Sequence, residues 1–83
     1  MKRPDYIYGD KVKFRFGEEI LTGVVEIVDR YGTFEQNDEP SYDLYRKENN
    51  TLYKHVRESL VVEGCGRAEP EERIDYDTGR KLH

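Results

Sequence analysis

The sequence predicts a small, mainly β domain of five short strands, and three observations carry that prediction. "GDKVKFRF" at residues 9–16 alternates apolar and charged side chains, "ILTGVVEIVDR" at residues 20–30 is dense in β-branched residues, and turn-forming residues separate short runs from one another. The chain has 83 residues, material for one domain, and a domain this small buries only about 60% of the surface its unfolded chain exposes. Apolar residues make up 35% and charged residues 39%, but seven tyrosines and three phenylalanines supply large rings for a compact core.

The elements follow in order. In the first strand Val12, Phe14 and Phe16 point one way while Lys11, Lys13 and Arg15 point the other. "GEE" at residues 17–19 turns the chain into the second strand, where Val25 and Ile27 are expected to face the core and Glu26 the water. Gly23 inside that strand predicts a bulge or a sharp bend. Residues 32–40 read as a long loop, closed by Pro40, which cannot donate to a central ladder. "SYDLYRK" and "TLYKHV" flank "ENN", and adjacent asparagines readily take positive φ, so Tyr42–Lys47 and Thr51–Val56 form a hairpin. "HVRES" has the length of one helical turn and "LVVE" closes with a fifth strand. Residues 64–83 mix glycine, proline and charge with hardly an apolar anchor, which predicts a disordered C-terminal tail after a domain of residues 1–63. Five short strands with one helical turn before the last is the ground plan of an SH3-like barrel.

"GDKVKFRF", "VDRYGTFE", "EPSYDLY" and "LYKHVRES", in that order, resemble the YorP family of small proteins from Bacillus and its temperate phages. The resemblance spans roughly residues 6–62, and its middle and last motifs are the distinctive ones, since many barrels open with the first. It implies a five-stranded SH3-like barrel with a short helix and a prophage origin, and it brings no catalytic residues.

Charge and composition narrow the function classes. The net charge of −4 disfavours non-specific binding to phosphate backbones, which runs on displacing counterions with Lys and Arg. The charge is nonetheless segregated: five basic residues against two acidic in 1–15, one against eight in 16–44, four against two in 45–62, and four against six thereafter. The longest uninterrupted apolar run is Leu60 to Val62, too short to span a bilayer as a helix. A single cysteine, Cys65, and a basic N-terminus with no apolar run behind it predict a cytoplasmic protein.

Few residue types suit chemistry. His55 is the one histidine inside the expected domain and reads as solvent-facing or structural; Ser41 and Ser59 lack the glycine pattern of a nucleophile elbow and suit turns and caps. Cys65 between two glycines reads as incidental. No His or Cys spacing suits zinc, and Asp29, Glu35, Asp38 and Glu39 lack the alternating ligands and central glycine of a calcium loop. The expectation is a monomeric, non-enzymatic protein with neither cofactor nor metal.

Two binding surfaces remain. The loop is expected to be anchored by Phe34 and to present Glu35, Asp38 and Glu39 to a basic host or phage protein, with Tyr45 and Tyr53 as neighbouring contact rings. The alternative is a KOW-like nucleic-acid binder using Lys11, Lys13, Arg15, Lys54 and Arg57, with Tyr6, Tyr8, Tyr45 and Tyr53 for stacking. Outward charge is equally what any soluble barrel carries on the wet face of its strands.

Overall fold

Two consecutive amphipathic runs bury their apolar faces most directly by pairing with each other, and the chain reverses after Phe16 to let them. The computed structural model describes residues 3–32 and 39–74. Strand β1 (Asp10–Phe16) pairs antiparallel with β2 (Glu19–Asp29), placing Val12 opposite Gly23 and Phe14 opposite Leu21. The two-residue turn between them starts with Gly17 at φ 64°, the left-handed position a tight hairpin turn reserves for glycine.

Strand β3 (Ser41–Arg46) runs back along β2, and a 3-10 turn, η1 (Lys47–Asn49), leads to β4 (Thr51–Arg57). Asn50 takes the left-handed conformation, φ 52°, as the paired asparagines predicted. A second 3-10 turn, η2 (Glu58–Leu60), precedes β5 (Val61–Arg67), and a third, η3 (Pro70–Glu72), follows it. The strands form one antiparallel sheet in the order β4-β3-β2-β1-β5. This is the mainly β, five-stranded plan expected from sequence, with its helical turn before the last strand. The two edge strands share no ladder, so the barrel is open.

The core lies on the inner face: Val12, Phe14, Val25, Tyr42, Leu44 and Val56 are buried together, with Tyr6, Leu21, Val28, Tyr53 and Val61 packed around them. Phe14, Tyr42 and Leu44 are inaccessible to solvent, and burial of such large side chains is what stabilises so small a domain.

Four expectations need correction. Val25 is buried as expected, but the register of β2 against β3 slips between Val25 and Ile27, and this bulge turns Ile27 outward, where it is 53% exposed. Glu26 is buried under the C-terminal segment instead of facing water. Gly23 is not the bulge: it stays in register, and a Cβ there would lie 3.1 Å from Phe14 Cε1 and 3.3 Å from the Tyr45 carbonyl, so its role is close strand packing. Phe16 sits at the open end of β1, largely exposed, with its ring edge-on to Tyr53 at 4.9 Å.

The largest correction concerns the tail. Residues 64–67 extend β5, which pairs with β1 from Asp10 opposite Arg67 to Phe14 opposite Val61. Residues 68–74 then cross the outer face. Ala68 N–H donates to the Gly9 carbonyl at 2.8 Å, Lys11 pairs with Glu72 at 2.8 Å, Lys47 donates to the Glu71 carbonyl, Arg73 pairs with Glu26 at 3.0 Å, and Ile74 is buried. Composition failed here because this segment docks through ion pairs and main-chain bonds, not apolar mass. Residues 75–83 lie outside the described residues, as does Phe34, the expected plug of the loop.

Candidate partner-binding surface

Of the acidic loop, Glu35 and Asp38 lie outside the described residues, while Glu39 is described and is not offered to a partner. Its Oε1 accepts from Ser59 N–H at 2.8 Å and its Oε2 from Ser59 Oγ at 3.1 Å, and the same Oε2 pairs with Arg57 at 2.8 Å. With its side chain 17% exposed, Glu39 ties the loop exit to η2, which otherwise carries an unsatisfied N–H. Ser59 is thus the capped residue in the middle of η2 and not the cap expected of it. Tyr45 is likewise unavailable: it is 2% exposed on the outer face of β3, and its hydroxyl donates to Asn50 Oδ1 at 2.7 Å. Tyr53 is half-buried, edge-on to Phe14 at 5.3 Å as well as to Phe16, and its hydroxyl accepts from Asn49 Nδ2 at 2.9 Å.

The basic residues are dispersed. Lys11 is held by Glu72, Lys13 by Glu63 at 3.3 Å and Arg57 by Glu39, while Arg15 and Lys54 are exposed on β1 and β4. Those two strands are separated by β2 and β3, so the sheet does not gather the five cations. The Lys11–Glu72 hydrogen bond raises the lysine pKa and lowers that of the carboxyl, each favouring its charged form.

His55 serves the backbone. It occupies a left-handed position, φ 59°, where β4 bulges against β3, and Asp43 Oδ1 accepts its N–H at 3.0 Å. Asp29 Oδ1 accepts from Tyr31 N–H at 3.1 Å, fixing a turn, and among the described residues no group of acidic, His or Cys side chains is placed to hold a metal ion. Cys65 is exposed on edge strand β5.

On the outer face, a hollow of about 170 Å³ lies between the sheet and η3. Its cations are occupied: Lys11 by Glu72, Arg46 by Glu48 at 2.9 Å and by the Thr22 carbonyl at 3.3 Å, and Lys47 by the Glu71 carbonyl. Arg73 completes this layer, its guanidinium forked to Glu26 and stacked 3.8 Å over the Tyr8 ring; the bond to Glu26 holds its pKa above the ordinary value.

A second hollow, about 370 Å³, lies between the N-terminal arm (residues 3–8) and the end of β2. Pro4, Tyr6, Ile7 and Val28 line it with Arg3 and Arg30. The arm is fixed from below. Glu58, buried at the start of η2, accepts from the Tyr42 hydroxyl and from Asp5 N–H at 2.8 Å, and the Tyr42 oxygen also accepts from Asp5 N–H at 3.1 Å and Tyr6 N–H at 3.3 Å. Burial, reinforced by Glu58, pushes the Tyr42 pKa well up, so the phenol stays protonated and serves as the donor in that network. The Tyr6 ring rests edge-on against Tyr42 at 6.0 Å, and Gly9 N–H donates to the Val25 carbonyl at 2.8 Å. Ile7 is left 62% exposed at the rim, and no ion pair reaches Arg3 or Arg30 among the described residues. In the sequence the arm reads as a lead-in to β1, and the groove's signal is the run of Pro4, Tyr6, Ile7 and Tyr8 before a strand that is already complete.

Compared with family models, curated proteins and solved structures, the chain matches none of them.

Proposed function

We propose that this chain is a small, non-enzymatic interaction module that holds a protein partner in the groove between its N-terminal arm and the end of β2. The observation that carries the reading is a pre-formed apolar groove on a pinned arm, flanked by arginines that have no ion pair among the described residues. Lys11, Lys13, Arg46, Arg57, Arg67 and Arg73 each sit on a carboxylate instead. Concave, mostly apolar sites with a few polar groups at the edge are where proteins take up ligands. Within this proposal the resemblance of its motifs to the YorP family supports a prophage-type protein directed at a host or phage protein, and the single cysteine and the N-terminus without an apolar run support a cytoplasmic one. The non-enzymatic part is supported by what the polar side chains already do: Ser59 N–H and Oγ are both held by Glu39, His55 shapes a bulge and Glu58 anchors the arm. Pairing of Lys11, Lys13 and Arg57 with carboxylates weighs against the nucleic-acid alternative.

Selection of random displayed peptides on the whole chain tests the reading. Sequences should enrich on the natural chain and fall to background on Ile7→Glu, a change at an exposed rim position that should leave the melting temperature unchanged. No enrichment, or enrichment that survives Ile7→Glu, overturns it.

A further inference from the structure

Resting on that reading, we infer that the groove takes an extended acidic segment of the partner: one bulky apolar side chain against Ile7, Val28 and Pro4, with carboxylates at Arg3 and Arg30. The argument is one of complementarity. Between the two arginines the lining is aliphatic and imino apart from Tyr6, and the Tyr6 ring is already engaged edge-on by Tyr42, so the groove favours an apolar side chain over a stacked base. A hollow of about 370 Å³ lies at the small end of the range for ligand sites, which suits one side chain of a chain passing over it.

The charge at the rim points the same way. Among the described residues, Asp10 and Asp29 are already occupied: Asp10 accepts from Ile7 N–H at 2.9 Å and from Arg67 at 2.9 Å, and Asp29 accepts from Tyr31 N–H. Arg3 and Arg30 are exposed, and guanidinium forks match carboxylates in paired, planar hydrogen bonds. The positive charge is local within a chain of net charge −4, so a short acidic segment can meet both arginines while a long polyanion would meet repulsion along the rest of the surface.

The experiment is fluorescence anisotropy on the full chain with a short labelled peptide carrying one phenylalanine flanked by aspartates. Three comparisons accompany it: the same peptide with asparagines, a single-stranded DNA, and the chain variants Arg3→Gln, Arg30→Gln and both together. The acidic peptide should bind, each single change should weaken it by about tenfold, as for one charge-assisted hydrogen bond, and the double change more. Affinity should fall as salt rises. Equal binding of the asparagine peptide, an unaffected double variant, or DNA displacing the peptide from the groove would overturn the inference. So would a natural chain that fails to bind while Phe34→Ala binds, which would put this chain's own loop in the groove. The two readings fail separately: displayed peptides that depend on Ile7 but are neutral or basic would sink only the acidic partner, whereas peptides indifferent to Ile7 would sink the groove itself.

Discussion

The two faces of one sheet are held by different physics. On the inner face Val12, Phe14, Val25, Tyr42, Leu44 and Val56 exclude water by apolar contact. On the outer face Val24 and Tyr45 are equally buried, but the cover laid over that face is tied down by Lys11–Glu72, Arg73–Glu26 and the Lys47 bond to the Glu71 carbonyl. A small domain short of apolar residues thus gains a second buried layer from charged ones. The difference teaches that burial alone does not say what a face costs to disrupt: apolar contacts lose their own area, whereas a buried carboxylate loses its partner and stays behind.

Each prediction bears on that contrast. Phe14→Ala removes an inaccessible ring from the inner face and should destabilise by about 3 to 5 kcal/mol in denaturant unfolding; a variant that unfolds like the natural chain would mean the inner face is not the main core. Arg73→Ala leaves the Glu26 carboxylate, with 2% of its side chain exposed, without its partner, and should cost about 2 to 3 kcal/mol, below the figure for a fully enclosed pair because the arginine is partly wet. Truncation after Arg67 takes away the whole cover, including Ile74, yet should cost less, about 1 to 2 kcal/mol, because Glu26 then meets water and the ordering entropy of the segment is recovered. If truncation proves the more harmful of the two, the outer layer is held by apolar contact after all.

The smallest effect is on pH dependence. The Lys11 hydrogen bond holds the Glu72 carboxyl below its ordinary value, so the folded state binds this proton less readily than the unfolded state. The contribution is fully present at neutral pH, begins to fade near the ordinary Glu value of about 4.3, and is lost as pH falls through the depressed folded value. Stability measured from neutral to acid pH should therefore fall less steeply for Glu72→Gln than for the natural chain, and identical slopes would show that the pair contributes nothing measurable.

What was legible in the sequence was whatever repeats locally. The alternation of Lys11 to Arg15 placed β1 and its faces, and Asn49–Asn50 placed the hairpin turn. One residue of slippage in β2 was enough to spoil the assignment at Glu26 and Ile27, because alternation carries no information about where a bulge falls. Residues 64–74 were misread for a different reason: their partners Asp10, Lys11 and Glu26 lie some distance back along the chain, and polar docking leaves no periodic trace. Of the candidate site residues, Glu39 and Tyr45 were chosen for chemistry that the fold spends on a cap and a buried hydroxyl. The groove escaped notice because Arg3 and Arg30 meet only when the arm is tied down by Glu58, far along the chain.

β1 pairs with β2 through a two-residue turn and with β5 through residues that come last among the strands. A hairpin of β1 and β2 can form within moments of its synthesis, but the other edge of β1 has no partner until residues 61–67 have been made. Non-local pairing of this kind slows folding, and until it is complete the nascent chain carries an open strand edge beside Val12 and Phe14. The alternating charges Lys11, Lys13 and Arg15 lie along that edge, where they discourage another chain from pairing first. Besides whatever they do in the finished protein, these cations guard the interval before it exists.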